Sequence, residues 1–294
     1  MTYRLLFFLI KLISYIPFRV LYLMADVLGF AAYHLMRYRR SVVRRNLTEC
    51  FPEKTPAEIR KIERGFYRFM ADDIVESVKM ASMSTEQMSR RMKFTNIGEL
   101  NDRLQAGRSV ALFLGHYANW EWVSSMPLHL NRDAVAAQIY HPLHNQSFDR
   151  LMFHLRSRMG AVCVEMRNTA RYVTRLKTEG KVCIIGFIAD QSPRKRDARY
   201  FLEFMHHDTP VLTGTEKIAK HYDFDAWYAD VRRVRRGYYE TTFVKMHDDP
   251  KSLPDFELTA IYYRMLEQTI RRRPELYLWS HKRFKHGRLI RESR

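Results

Sequence analysis

The feature that most constrains the fold is an alternation of short apolar runs and helix-forming stretches that begins at residue 109. The apolar runs have the length of buried strands, and we predict strands at Ser109–Leu114, Ala134–Tyr140, Ala161–Glu165, Lys181–Ile188, Ala226–Val231 and Tyr239–Met246. The stretches between and after them have helical spacing, and we predict helices at Asn119–Leu130, Ser147–Met159, Ala170–Thr178, Thr213–His221 and Phe256–Arg272. Such an alternation predicts an α/β fold in which a central, mostly buried sheet is flanked by helices.

The region before this alternation is predicted to be helical. Thr55, Pro56 and Glu58 have the order of an N-cap, a first helical residue and a capping-box glutamate. Apolar residues then follow at helical spacing, and Ser84 with Gln87 forms a second helix-start signature. We therefore expect a helical segment ahead of the α/β part.

A histidine and a glutamate directly follow the first predicted strand, in the run Gly115-His116-Tyr117-Ala118-Asn119-Trp120-Glu121. In α/β folds, reacting side chains lie at the carboxyl ends of strands. A histidine there can remove a proton when a carboxylate fixes one imidazole nitrogen and leaves the other free. Residues five apart diverge by about 140° on one helix, so we expect His116 on the turn and Glu121 in the first helical turn. The spacing alone is equally compatible with a loop histidine beside a glutamate that only complements the helix dipole.

The amino terminus is apolar from Leu5 to Met36. It is interrupted by Lys11, Pro17, Arg19 and Asp26. Because no stretch of about 18 residues is free of charge, the strict criterion for a transmembrane helix is not met. Three arrangements remain open, namely a tilted spanning helix, a kinked helix pair in the membrane interface, or an ordinary buried helix. We predict an anchor of one membrane helix or interfacial helices at residues 1–38 and an α/β domain at residues 39–294.

The net charge of the chain indicates that its binding partners are anionic. The chain has 50 Lys and Arg against 32 Asp and Glu, a net charge of +18. Such a charge attracts nucleic acid, an anionic membrane or an acidic protein. Basic clusters beside an apolar terminus favour a membrane, and the aromatic residues lie in apolar runs rather than among arginines, which disfavours nucleic acid. If the anchor spans the membrane, the arginines after Met36 place the following domain in the cytoplasm.

The sequence lacks the motifs of nucleotide-binding loops, of serine nucleophile elbows and of metal or disulfide sites. Glycines at 107, 115, 180 and 186 are too scattered for a nucleotide-binding loop, and no G-x-S-x-G elbow occurs. The three cysteines have no metal-like spacing, so neither metal nor disulfide is predicted. Glu203, His206, His207 and Asp208 lack the second ligand cluster that a metal site needs.

Seven motifs occur in the order found in one enzyme family. They are Arg45-Asn46-Leu47 with Phe51-Pro52, the His116–Glu121 block, Tyr140-His141-Pro142, Arg156-Ser157-Arg158-Met159-Gly160, Ala189-Asp190-Gln191, Thr213-Gly214, and Trp279-Ser280-His281-Lys282-Arg283-Phe284-Lys285. In these motifs the chain resembles the lysophospholipid acyltransferase-like enzymes that complete lipid A, the lauroyl and myristoyl transferases of the Gram-negative inner membrane.

This resemblance implies an acyltransferase that moves a fatty acyl group from a thioester carrier to a hydroxyl of lipid A or a related membrane lipid. His116 is then the general base and Glu121 its orienting partner. The resemblance also assigns substrate binding to Arg156, Arg158, Asp190 and Asn119. The resemblance implies acyl carrier protein or coenzyme A as the donor, no metal or other cofactor, an anionic lipid as the acceptor, and a catalytic domain on the cytoplasmic face of the inner membrane. Without a nucleophile elbow, direct attack by the acceptor hydroxyl fits better than an acyl-enzyme.

Two positions depart from the family pattern. The family more often has arginine where this chain has His141, and a continuation of the D-x-D/G type where it has Ser192-Pro193-Arg194-Lys195-Arg196. Both are expected near the substrate groove, so the acceptor lipid stays open. The alternatives are an acyltransferase for a phospholipid or an amino-acid lipid and, in a different class, a non-catalytic basic protein that binds membranes. An open groove containing the histidine separates an enzyme from the latter.

Overall fold

The amino-terminal third is helical in the computed structural model, which describes residues 2–131 and 133–290. Its helices are α1 (Tyr3–Ser14), α2 (Phe18–Phe30), α3 (Arg40–Cys50), α4 (Pro56–Lys79) and α5 (Thr85–Arg91), and a π-helical turn, Ala31–Leu35, continues α2. The Thr55 side chain accepts a hydrogen bond from the Glu58 N–H, and the Glu58 carboxylate accepts one from the Thr55 N–H. The helix start predicted at Thr55 is therefore confirmed, as is the one at Ser84.

The remaining strands and helices alternate as the sequence predicts. The strands are β1 (Met92–Phe94), β2 (Val110–Leu114), β3 (Val135–Tyr140), β4 (Val162–Glu165), β5 (Cys183–Ile188), β6 (Phe201–Phe204), β7 (His207–Pro210), β8 (Asp225–Arg235), β9 (Tyr238–Lys245) and β10 (Arg288–Leu289). The helices are α6 (Ile97–Gln105), α7 (Gln146–Ser157), α8 (Thr169–Thr178), α9 (Gly214–Tyr222) and α10 (Glu257–Arg272). Within the described residues, seven strands form the central sheet in the order β1-β9-β8-β2-β5-β3-β4, and β10-β7-β6 form a small antiparallel sheet.

The central sheet confirms the predicted α/β fold. Its strands pair in parallel except for the antiparallel hairpin of β8 and β9. All six predicted strands are present, with ends that differ by a few residues from those predicted. The short strands β1, β6, β7 and β10 were not predicted, because segments of two to four residues carry no readable alternation.

One predicted helix has a different form. The segment predicted as an α-helix at Asn119–Leu130 is a 3₁₀ helix at Trp122–His129. Pro127 lies inside it and has no N–H to donate to an α-helical hydrogen bond. The Ser124 and Ser125 hydroxyls donate to the carbonyl oxygens of Glu121 and Trp122, three residues earlier, which also favours the tighter turn.

Helix α10 fixes the carboxyl ends of two neighbouring strands. The Tyr262 hydroxyl donates to the carbonyl oxygen of Leu114, the last residue of β2, at 2.9 Å. The Tyr263 hydroxyl donates to the carbonyl oxygen of Ala189, just after β5, also at 2.9 Å. Because the segments after β2 and β5 carry His116 and Asp190, these bonds position the site described below.

The predicted division into an anchor at residues 1–38 and a domain at residues 39–294 stays a prediction. Residues 1, 132 and 291–294 of those ranges lie outside the described residues.

Candidate active site

His116 and Asp190 meet where the neighbouring parallel strands β2 and β5 end. The imidazole Nδ1 lies 2.6 Å from Asp190 Oδ1, and the His116 backbone N–H donates to Oδ2 at 2.9 Å. Asp190 is buried, with 2% of its surface exposed. Burial raises the pKa of Asp190, but the charge of His116 and the two hydrogen bonds outweigh it, so the pKa lies below its ordinary value. An ionised Asp190 holds the proton on Nδ1 and leaves Nε2 as an acceptor.

The Nε2 side of the imidazole faces the side chain of Gln191. Gln191 places its amide nitrogen 3.1 Å from His116 Nε2 and is itself exposed. The Trp120 ring packs edge-on against the imidazole, with centroids 5.2 Å apart, and the His116 side chain stays 15% exposed. The histidine is thus held on one side and open on the other, as a general base requires.

Glu121 has a different partner from the one predicted. Its carboxylate accepts two hydrogen bonds from Arg156, from Nε at 2.7 Å and from Nη2 at 2.5 Å. The predicted contact with the imidazole is therefore wrong for this structure, because Asp190 already occupies Nδ1. The left-handed backbone of Ala118, with φ of 50°, turns the chain between the two residues. Burial lowers the pKa of Arg156, but the Glu121 charge outweighs it and raises the pKa above its ordinary value, so the two form a partly buried ion pair.

Asn119 lies in the interior rather than in an open groove. It is fully buried, its amide donates to Glu76 at 2.7 Å, and its oxygen accepts from the Trp122 N–H at 3.0 Å. Glu76 also accepts from the hydroxyls of Tyr22 and Tyr239. We therefore interpret Asn119 as part of a buried hydrogen-bond network, which differs from its predicted contact with substrate.

Arg158 also has partners within the protein. Its Nη1 donates to the carbonyl oxygens of Met80 and Met83, just beyond the end of α4. These bonds join the end of α7 to the end of α4. Of the two arginines predicted to bind substrate, Arg156 is the one that lies beside the histidine block through its pair with Glu121.

The carboxyl-terminal motif contacts the segment that follows Asp190, and no spacing in the sequence predicts this contact. The His281 Nε2 accepts a hydrogen bond from the Ser192 N–H at 3.4 Å, two residues after Asp190. Burial lowers the pKa of His281 to about 4, so it is neutral at pH 7. Asn46 donates to the carbonyl oxygens of Trp279 and His281, which joins two motifs from opposite ends of the chain. Each motif is visible in the sequence, but no local signal indicates that they touch.

The two departures from the family pattern face each other. Arg194 Nη2 lies 3.4 Å from His141 Nε2, and both side chains are exposed. Since His141 follows β3 and Arg194 follows the Asp190 segment, this pair flanks the carboxyl edge of the sheet. The two positions that the resemblance marks as departures from the family pattern are therefore neighbours in space.

The residues considered as metal ligands are engaged elsewhere. His207 is buried, with its Nδ1 2.7 Å from the Met205 carbonyl oxygen and its Nε2 3.2 Å from Glu49. Glu203 and Asp208 are partners across the hairpin of β6 and β7. Across residues 2–131 and 133–290, no group of three or more His, Cys, Asp or Glu side chains is arranged to hold a metal ion.

The fold and the paired histidine and carboxylate can be compared with known proteins. The family model described as bacterial lipid A biosynthesis acyltransferase matches residues 1–286. The chain therefore belongs to the bacterial lipid A biosynthesis acyltransferases and is an acyltransferase enzyme, which sets aside the non-catalytic alternative. The predicted family is confirmed.

Individual relatives agree with this assignment. The chain is similar to the lipid A biosynthesis palmitoleoyltransferase of Escherichia coli (strain K12), with 23% identity over 272 residues, 92% of this chain and 86% of that protein. It is also similar to the lipid A biosynthesis lauroyltransferase of the same strain, with 24% identity over 276 residues, 93% of this chain and 88% of that protein. Family and relatives together support acyl transfer to lipid A.

Proposed function

We propose that the protein moves a fatty acyl group from a thioester carrier to a hydroxyl of lipid A or a closely related lipid, with His116 as general base. The observation that carries this proposal is the 2.6 Å contact between His116 Nδ1 and the buried Asp190 carboxylate, with Nε2 directed to exposed Gln191. A base oriented on one side and accessible on the other is suited to activating a hydroxyl.

The proposed reaction has two steps. The acceptor hydroxyl displaces the Gln191 amide, gives its proton to His116 Nε2, and its oxygen forms a bond to the thioester carbonyl carbon. The resulting oxyanion collapses, the carbon–sulfur bond breaks, and the imidazolium returns the proton to the thiolate. Asp190 stabilises the imidazolium between the two steps, as the carboxylate of a catalytic triad does.

The ion pair of Glu121 and Arg156 has a positioning role in this proposal. Glu121 engages Nε and Nη2 of the guanidinium, and Nη1 has no hydrogen-bond partner among residues 2–131 and 133–290. A guanidinium fixed on one edge presents its remaining donors to an anion. We assign that anion to the oxyanion or to a phosphate of one of the substrates, so Glu121 acts through Arg156 and not on the imidazole.

The donor in this proposal is a thioester of acyl carrier protein or of coenzyme A. Arg194, Lys195 and Arg196 are exposed on the segment that leaves Asp190. An acidic carrier or the phosphates of coenzyme A both complement such a basic segment. With either donor, we infer that the domain lies on the cytoplasmic face of the inner membrane.

Transfer assays with the purified full-length protein test the proposal. A lipid A precursor is incubated with an acyl thioester of either donor, and the product is identified by mass spectrometry. We expect the precursor to gain one acyl chain and the donor to release one thiol per chain. Acylation of a phospholipid or an amino-acid lipid, with lipid A precursors left unchanged by both donors, would contradict the proposed acceptor.

A further inference from the structure

The two amino-terminal helices expose apolar side chains to solvent. Among the described residues, 2–131 and 133–290, no other element covers them. Six of these side chains, spread along α1, α2 and the π-helical turn, are each more than half exposed: Phe8, Leu12, Leu23, Val27, Phe30 and Leu35. Monomeric proteins in water rarely expose so many large apolar residues on consecutive helices. We call these six residues the apolar face.

The other side of α2 is packed against the body of the protein. Leu21, Ala25 and Gly29 are buried against Ala71 and Val75 of α4. The backbones are so close at Gly29 that a β-carbon there would lie 3.1 Å from the Tyr67 carbonyl oxygen. The lack of a side chain at this position therefore allows α2 to dock tightly on α4.

Helix α1 docks in the same way. Leu6 is buried, and the Phe7 ring packs edge-on against His154 of α7 with centroids 4.7 Å apart. The Lys79 ammonium donates to the carbonyl oxygens of Ser14 and Ile16, at the end of α1 and in the turn that follows it. The turn between the two helices is thus attached to the end of α4.

Polar contacts fix the middle of α2 as well. The Tyr22 hydroxyl donates to the buried Glu76, and Arg236 donates to both oxygens of Asp26 and to the Tyr22 carbonyl oxygen. If α2 left the body, Glu76 and Arg236 would lose these partners, and Asp26 would enter hydrocarbon unpaired. Uncompensated charges are strongly disfavoured there.

These contacts bear on whether the helix Phe18–Leu35 spans the membrane or lies at its surface. Phe18–Leu35 is the one helix of residues 2–131 and 133–290 that is long and apolar enough to cross a bilayer. At about 1.5 Å per residue it would reach about 27 Å, close to the thickness of a hydrocarbon core. A spanning helix needs lipid or apolar protein around its middle, but Tyr22 and Asp26 hold polar groups of the folded body at that point.

We propose that α1 and α2 remain docked on the body and insert the apolar face into one leaflet of the membrane, without crossing it. Exposed basic residues on or beside the helices complement an anionic leaflet: Arg4, Lys11, Arg19, Arg37, Arg64 and Arg68. A crevice of about 340 Å³ is lined by Phe30, His34, Arg64 and Arg68 and also by Asp26. Asp26 forms an ion pair with Arg68 at 3.3 Å, so we assign the contact with a lipid headgroup to Arg64. The amino terminus then stays on the same side of the membrane as the catalytic body.

Labelling of membrane vesicles tests this topology on the full-length protein. Cys50 and Cys183 are buried, and a Cys163→Ser background removes the third cysteine. Thr2→Cys reports the amino terminus, and Asp248→Cys reports an exposed loop of the body, where 94% of the native side chain is accessible. We expect an impermeant maleimide to label both variants in inverted vesicles and neither in right-side-out vesicles. Labelling of the Thr2→Cys variant only from the opposite side, or only after detergent is added, would overturn the proposal.

A second experiment tests the apolar face. Leu23→Glu with Val27→Glu changes two exposed residues of α2, and Met166→Glu changes an apolar residue that is 52% exposed outside the two helices. We expect the double variant to bind phosphatidylglycerol-containing vesicles at least about tenfold less than the parent and to keep its melting temperature, while the Met166→Glu variant binds normally. Unchanged binding of the double variant, or an equal loss in the Met166→Glu variant, would refute membrane contact by this face.

Discussion

The most informative perturbation of the site is Asp190→Asn. The carboxylate accepts hydrogen bonds from both the His116 ring and the His116 backbone N–H. An asparagine has one acceptor oxygen and one amino group, so it can satisfy only one of these donors. With its oxygen on the backbone N–H, its amino group faces Nδ1 and favours the tautomer that carries the proton on Nε2. That nitrogen then cannot take the proton of the acceptor hydroxyl.

The size of the effect follows from this change of tautomer. The same substitution in a catalytic triad lowers turnover by about 10⁴-fold, and we expect about 10³–10⁴-fold here, equivalent to about 4 to 5 kcal/mol of barrier. The KM values for donor and acceptor should change little, because Asp190 is buried and acts through His116. Initial rates of acyl transfer, with each substrate varied in turn at a saturating concentration of the other, separate kcat from the two KM values.

Asp225→Asn is the matched control. Asp225 is as buried as Asp190, but it begins β8 and accepts hydrogen bonds from Arg103 and Arg108 at the opposite, amino edge of the sheet. This variant should melt earlier and keep its kcat. Retention of kcat within about tenfold by the Asp190→Asn variant would refute the reasoning, as would an equal loss in the control.

Three further substitutions test other parts of the site. Glu121→Gln leaves the Arg156 charge without its partner and should lower the free energy of unfolding by about 3 kcal/mol, whereas the double variant with Arg156→Gln should lose less than the sum of the single changes in denaturant titrations. Gly115→Ala places a β-carbon 2.6 Å from Leu266 Cδ1 and should reduce stability by about 1–3 kcal/mol together with kcat, and additional Leu266→Ala should restore part of the kcat. Because the pKa of His281 is lowered to about 4, the unfolded chain binds its proton first as the pH falls, so stability is lost between about pH 6.5 and 4. The melting temperature of His281→Asn should fall less over that interval, and an identical pH dependence in the two proteins would argue against a neutral His281.

The sequence predicts the local parts of this site well. Val110–Leu114 is a run of apolar residues, so a buried strand and a histidine at its end could both be predicted. Asp190 could be placed at a strand end for the same reason. These predictions depend on segments of about ten residues, over which hydrophobic spacing is readable.

The partner of His116 could not be predicted, because it depends on strand order. β2 and β5 are neighbours in the sheet although they are far apart in the chain, and only that neighbourhood brings Asp190 to the imidazole. Glu121 is nearer to His116 in sequence, so spacing favours it as the partner, but the turn at Ala118 and the pair with Arg156 direct its carboxylate away from the imidazole. The contact of Asn46 with Trp279 and His281 is another non-local pairing that spacing does not encode.

The measurement that tests the central claim most directly is the turnover of the His116→Ala variant under saturating donor and acceptor. Loss of a general base should lower turnover by about 10²–10⁴-fold. The variant should stay folded and membrane-bound, because His116 is partly exposed and its loss removes little packing, but its melting temperature should fall because the buried Asp190 loses one hydrogen-bond partner. His247→Ala, a change at a partly exposed histidine on a loop after β9, should transfer normally. Near-normal transfer by the His116→Ala variant would contradict the assignment of His116 as the base.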